Sequence, residues 1–291
     1  MAVILTKLRQ DANRLNPKYR SSAFYLQNRE VFVEWMFDLA EKLRVQPETF
    51  HHSVNMFDAY LLRPNSSQHL ASLTHFQSQS KHNIITLIAL TCLFISAKYL
   101  EKTYPGINQL LNYIGIPYCY EEFVAQEKDM LETLGWELQF ISIHNVLSHF
   151  LCQGILFSSD RLQPSGTPTL YTAQVLQHNC EIFTSLCLKK HEFLKYDQLI
   201  VTCAIVMAAR KVCHLQELWP EELVIMSCGV KPTQIKLCMR HILSFYDEIS
   251  CSATNTQQSS PEHPSTVQKT AKRAVPTSVS TKKKNRGAEK S

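Results

Sequence analysis

Apolar residues recur at helical spacing in two series of five segments, with the most apolar segment third in each, and this double pattern constrains the fold more than any other feature. In the first series Val31, Trp35, Leu39 and Leu43, widened by Phe32 and Met36, predict a helix over 28–44. Pro47, suited to a first helical turn, opens a second helix carrying Phe50, Val54, Phe57 and Leu61, and Pro64 and Asn65 end it. A polar stretch follows at 66–81. Residues 84–100 then form the most apolar helix, whose composition predicts burial on several sides. Its apolar run, 84–97, is too short for a bilayer span and reads as a core helix. A short helix over 107–114 ends at Gly115 and Pro117, and a fifth over 120–134 is stopped by Gly135.

The second series repeats the order. Helices are predicted over 143–151, 170–191 and 196–212, with a Ser, Pro and Gly-rich loop at 157–168. A fourth begins around Pro220, where Glu221 and Glu222 complement the first-turn amides, and Pro232 opens a fifth carrying Ile235, Leu237, Met239, Ile242 and Tyr246. A chain of 291 residues is long enough for two cores. The fold class is therefore all-α, a tandem of five-helix domains. From Ser250 onward large apolar residues almost vanish, which predicts a disordered tail over 250–291. The tail carries Ser260-Pro261, a candidate phosphorylation site at Ser260, and basic clusters at Lys272-Arg273 and 282–286. Those clusters fit nuclear import signals, or a solubilising terminus that does neither job.

Several function classes lose support. The formal net charge is +5 and much of the excess lies in the tail, which weakens the case for a basic nucleic-acid groove over the folded part. With seven glycines there is no phosphate-cradling Gly-rich motif. Cys180, Cys187 and His191 could share one side of a helix, but that helix also needs apolar contacts, and neither His51-His52 nor Cys213-His214 has metal-ligand spacing. No metal, no cofactor and no catalytic residue is expected. The ten cysteines are scattered through apolar helical segments with no signal peptide before them, so they read as buried thiols in a reducing compartment.

Four charged side chains, Arg29, Asp58, Lys98 and Glu127, sit in or beside apolar stretches, and charges so placed must be paired or reserved for a partner. The segments that hold them resemble a known family. Asn28 to Trp35, then Pro47-Glu48-Thr49-Phe50 and Met56-Phe57-Asp58-Ala59-Tyr60, look like the opening of the cyclin box. Ile95 to Glu101 with Tyr104-Pro105 resembles that family's third-helix signature, and Glu127 with Leu134 to Leu138 resembles the end of its fifth helix. Leu194-Lys195-Tyr196 and Leu218 to Leu223 are similar to motifs of the second cyclin fold. The resemblance covers 28–249 and divides the chain into a lead at 1–27, an N-terminal cyclin box at 28–138, a C-terminal cyclin fold at 139–249 and the tail.

The resemblance implies a non-catalytic regulatory subunit that binds and activates a cyclin-dependent serine/threonine kinase in cell-cycle or transcription control, in the nucleus and shared with the cytoplasm. By the same resemblance Lys98 and Glu127 reach the kinase, Phe94 and Leu131 add apolar contact, and Arg29 pairs with Asp58 to fix the first helix on the second. A docking groove for short motifs in substrates or inhibitors would match Asn28, Val31, Phe32 and Trp35, with Asp38 nearby. Asn28 stands where a methionine is usual and Phe32 where the residue is aliphatic, and Trp35 also fits plain core packing. An extra residue between Lys98 and Tyr104-Pro105, with Leu100 inside the usual acidic pair, marks an atypical member. The competing readings are a non-activating cyclin-like scaffold and a general-transcription-factor module. No direct DNA binding and no membrane association are expected.

Overall fold

A computed structural model describes residues 23–62, 78–114 and 120–257; among them are ten α-helices, one 3-10 turn and no strand. The first five helices are α1 (Ala23–Leu43), α2 (Pro47–Leu61), α3 (Ser78–Leu100), α4 (Ile107–Ile114) and α5 (Tyr120–Leu134). The second five are α6 (Ile143–Gln153), α7 (Leu170–Lys189), α8 (Gln198–Val212), α9 (Glu221–Met226) and α10 (Pro232–Gln257), with the 3-10 turn at His191–Lys195. The all-α class and the two five-helix sets stand as the periodicity predicts. Each set has its own core, one built around Phe32, Phe57 and Leu90, the other around Phe150, Phe183 and Ile205.

In the first set α2 and α3 form the central pair, with α1 and α5 laid against both. Residues 49–61 of α2 are all buried, so this helix is enclosed on every side. Its start is fixed by chemistry at a distance in sequence. The Glu101 carboxylate accepts from the Gln46 backbone N–H at 2.7 Å and from the Thr49 hydroxyl at 2.6 Å, placing an anion where first-turn amides lack partners. An 18-residue window of α3, Asn83–Leu100, is long and apolar enough to cross a membrane by length and composition, which corrects the shorter run read from the sequence. Of that window 72% is buried inside the protein, against α2, α1 and α5. Gly135 (φ 65°) and Trp136 (φ 59°) close α5 with left-handed backbone, returning their N–H groups to Glu132 and Leu131.

The second set is organised around α8, which packs on α7 and α6. Ser142 caps α6 through a reciprocal capping box with Asn145, and Thr169 does the same with Thr172 for α7. The two sets meet where α1 lies against α7 and the 3-10 turn, and where α2 lies against α6.

Some boundaries differ from the sequence reading. Helix α1 begins at Ala23, inside the expected lead, because Tyr25 belongs to the core: it is buried, with its ring 5.6 Å from that of Phe57. Helix α7 stops at Lys189 and the chain tightens into the 3-10 turn, so His191 is outside the helix that carries the buried Cys180 and Cys187. Helix α10 continues to Gln257, past the Ser250 boundary. Ser260 and both basic clusters lie outside the described residues.

Candidate functional site

The structure sorts the four charges into two kinds. Arg29 and Asp58 are both 2% exposed and meet face to face across α1 and α2. Arg29 Nε donates to Asp58 Oδ1 at 2.7 Å and Nη2 to Oδ2 at 2.8 Å, a bidentate pair. The Tyr25 hydroxyl donates to the same carboxylate. Burial alone would pull the Arg29 proton affinity down, but the Asp58 charge and hydrogen bonds outweigh it and hold the guanidinium above its usual range. Burial, then the Asp58 charge, pushes the Tyr25 phenol well up. The guanidinium and the phenol therefore each keep one protonation state near neutral pH.

The pair does more than fix α1 on α2. Arg29 Nη1 also donates to the Leu188 and Lys189 carbonyls, each at 2.8 Å, at the C-terminal end of α7 in the other helical set. Carbonyls in a last helical turn have no intrahelical donor, and a cation there complements the helix dipole. On either side of this clamp Lys189 Nζ reaches Glu34 at 3.1 Å and Lys190 Nζ reaches Glu30 at 2.8 Å. Across the α6–α2 contact the Asn145 side chain donates to Glu48 at 2.7 Å.

Lys98 and Glu127 are of the other kind. Lys98 lies in the last turn of α3 and Glu127 midway along α5; Nζ to Oε1 is 2.7 Å, with the side chains 41% and 15% exposed. The ammonium also sits 5.0 Å from the Phe94 ring centroid. Phe94 itself is buried, edge-on to Phe123 at 5.2 Å and to Tyr104 at 6.1 Å. That corrects its assignment as a contact residue: an aromatic in the helix interior props the lysine and offers little surface of its own. Leu131 is partly buried on the first core. Tyr120, Val124, Glu127 and Leu131 follow the spacing of one helical face, and Tyr120 and Val124 are exposed. Tyr99, Leu100 and Tyr104, beside Lys98 in sequence, are also exposed. The result is a charged pair beside exposed apolar side chains, the composition of a surface suited to a protein partner. Among the described residues no group of three His, Cys, Asp or Glu side chains could hold a metal ion.

The expected groove on α1 is only partly formed. Phe32 is 2% exposed and packs edge-on against Phe57 at 6.2 Å, so it is a core residue and cannot line a groove. Val31 and Asp38 are exposed and Asn28 half-buried on the outer side of α1, while Trp35 is half-buried and packs against the first core.

Sequence reasoning missed a second buried ion pair. Arg210, fully buried near the end of α8, donates to Asp160 through Nη2 at 2.5 Å and Nη1 at 3.1 Å. Nη1 also reaches the Ile155 carbonyl at 2.7 Å, and Nη2 that of Glu217 at 2.7 Å. The available signal was a lone arginine after twelve residues without another Lys, Arg, Asp or Glu in the α8 sequence.

Residues 4–139 match the family model of the cyclin N-terminal domain and residues 167–277 that of the cyclin C-terminal domain. The chain is similar to the G1/S-specific cyclin-E of Drosophila melanogaster, 24% identical over 243 residues that make up 79% of this chain and 31% of that protein. It is also similar to the G2/mitotic-specific cyclin cig2 of Schizosaccharomyces pombe, 25% identical over 235 residues, 80% of this chain and 50% of that one. The chain thus spans a third to a half of the length of these relatives. Among solved structures, a viral cyclin from herpesvirus saimiri aligns with a TM-score of 0.57 at 17% identity, covering 82% of this chain and 94% of that one. A chain of the yeast RNA polymerase II CTD kinase CTDK-1 complex aligns at 0.55 and 15% identity, covering 81% and 71%. At such identities the structural likeness shows the fold alone.

Proposed function

The chain belongs to the cyclin family, and from that premise we propose that it is a regulatory subunit which binds and activates a cyclin-dependent serine/threonine protein kinase in cell-cycle or transcription control. The observation that carries this reading is the exposed Lys98–Glu127 pair beside the exposed apolar side chains of α3 and α5. A flexible ammonium donor next to a carboxylate acceptor can satisfy both polarities of a partner's backbone, which apolar side chains cannot do. The mechanism is positional: binding holds the kinase's movable regulatory helix and activation loop in their active placement, and the kinase supplies the phosphoryl-transfer chemistry. On this reading the folded part divides at 28–138 and 139–249. Any docking of short substrate or inhibitor motifs on α1 uses Asn28, Val31, Trp35 and Asp38 without Phe32. The tail clusters direct the protein to the nucleus, with a share in the cytoplasm.

Affinity purification of wild type and of Lys98→Ala/Glu127→Ala from nuclear and cytoplasmic extracts, with kinases identified by mass spectrometry and assayed for activity, tests the proposal. An active cyclin-dependent kinase is expected with wild type and is lost from the folded double variant. Equal recovery with both proteins sinks the proposed contact mode. A captured kinase that stays inactive would establish the non-activating scaffold instead.

A further inference from the structure

A cavity of about 380 Å³ opens where the two helical sets meet, remote in sequence from Lys98 and Glu127, within the size range of small-ligand sites and at a junction where such sites concentrate. Its walls come from α1, α2, α6 and α7, with Phe37, Phe50 and Leu147 among the apolar side chains. Phe37 and Phe50 lie edge to face at 5.5 Å, and Phe37 is 39% exposed, an aromatic surface left for something to cover.

The charge around this cavity has one sign. Glu41 and Glu181 line it, and no lysine or arginine does among the described residues. The Glu41 carboxylate has no partner among the described residues, and Glu181 takes an amide from Gln177 at 3.1 Å and lies 4.0 Å from His178 Nδ1. The imidazoles in the wall do not offset those charges near neutral pH. Burial and the neighbouring His144 push His51 down to about 3, and burial lowers His144 as well. Two exposed carboxylates beside apolar walls attract cations, and aromatic faces favour those carrying an apolar body.

We propose that this cavity is a binding site for a small organic ammonium with an aromatic or branched apolar body. The walls favour a free small molecule over a peptide. Thr184 lies within α7, where backbone groups bond along the helix, and its hydroxyl already donates to the Cys180 carbonyl at 2.7 Å. A peptide backbone entering here would leave its amides unpaired. The site goes beyond the kinase reading and its test is independent of it.

The probe is 2-(2-naphthyl)ethylammonium, protonated at pH 7, titrated into the full chain by calorimetry alongside its neutral alcohol and its carboxylate analogue. The ammonium is expected to bind at least tenfold tighter than the alcohol, and the carboxylate weakest. Glu41→Gln/Glu181→Gln abolishes that preference, and Ser185→Trp, at an exposed position on the cavity wall, blocks binding of all three with an unchanged melting midpoint. Equal affinity for the three probes, no binding of the ammonium, or full binding to folded Ser185→Trp would each overturn the proposal. Tighter binding of a capped phenylalanyl-arginine amide than of the ammonium would reassign the cavity to a peptide.

Discussion

Asp58→Ala takes one partner from a buried pair and leaves the other in place. The variant strips two acceptor oxygens from Arg29 and a carboxylate acceptor from Tyr25, so a guanidinium 2% exposed keeps the Leu188 and Lys189 carbonyls and the neutral Tyr25 hydroxyl but no anionic partner among the described residues. Removing one side of a buried ion pair costs about 3–5 kcal/mol, because the remaining charge stays desolvated. At about 2–4 °C per kcal/mol for a protein of this size, the melting midpoint should fall by about 6–20 °C. Lys98→Ala/Glu127→Ala removes a pair of similar geometry, but the lysine is 41% exposed, so screening limits the loss to less than about 1 kcal/mol. Urea unfolding of the full chain, followed by circular dichroism with slopes compared across variants, separates the two cases. Arg29→Leu/Asp58→Leu should recover part of the loss, since no unpaired charge remains, though not all, because two carbonyls of α7 lose their donor. The reasoning is refuted if Asp58→Ala costs less than about 1 kcal/mol, or if the double variant is no more stable than Asp58→Ala.

Three further outcomes are expected. His51 is held down to about 3 by burial and by His144, against an ordinary value of 6.5, so the unfolded chain binds a proton that the folded chain refuses between those values. Stability should therefore drop as pH falls below about 6.5, by about 2 kcal/mol at pH 5 from this residue alone, and His51→Phe should remove that share of the pH 7 to pH 5 difference in urea midpoints. In the second helical set, Asp160→Ala should destabilise by about 3–5 kcal/mol, because Arg210 would keep only the Ile155 and Glu217 carbonyls; a loss below about 1 kcal/mol in chemical unfolding would contradict that. Brief native alkylation with iodoacetamide, read by peptide mass spectrometry, should modify the exposed Cys152, Cys228 and Cys251 while sparing Cys92, Cys187 and Cys203, whose thiolates burial disfavours.

The fold was legible because each helix carries its own local evidence: an apolar stripe, an opening Pro47 or Pro232, a closing Gly135. Errors fell where tertiary contacts set the boundary. Nothing local makes Tyr25 helical; its burial against Phe57 and its bond to Asp58 lie 32 and 33 residues away in sequence. Nor does periodicity end α7 at Lys189. Its last carbonyls are taken by Arg29, more than 150 residues earlier, and helical spacing along α7 holds no record of that donor. Phe32 was misplaced for a related reason. An aromatic on an apolar stripe can face a groove or a core, and only the position of Phe57 decides between them.

The site shows the same limit in its charges. Arg29, Lys98 and Arg210 all stand in helices whose neighbouring positions are apolar, and sequence spacing treats them alike. What separates them is the depth at which the helix ends and what waits there. Arg29 and Arg210 are enclosed, and each answers a carboxylate together with two backbone carbonyls, so removing either charge exposes a deficit inside the protein. Lys98 stands at the surface end of α3 on a single carboxylate and a phenyl face, both of which water or a partner can replace. A charge whose partners are replaceable contributes little to folding and remains available for recognition, and that physical difference, rather than the residue type, is the reason to seek the partner surface at Lys98 and Glu127 and the structural clamp at Arg29 and Asp58.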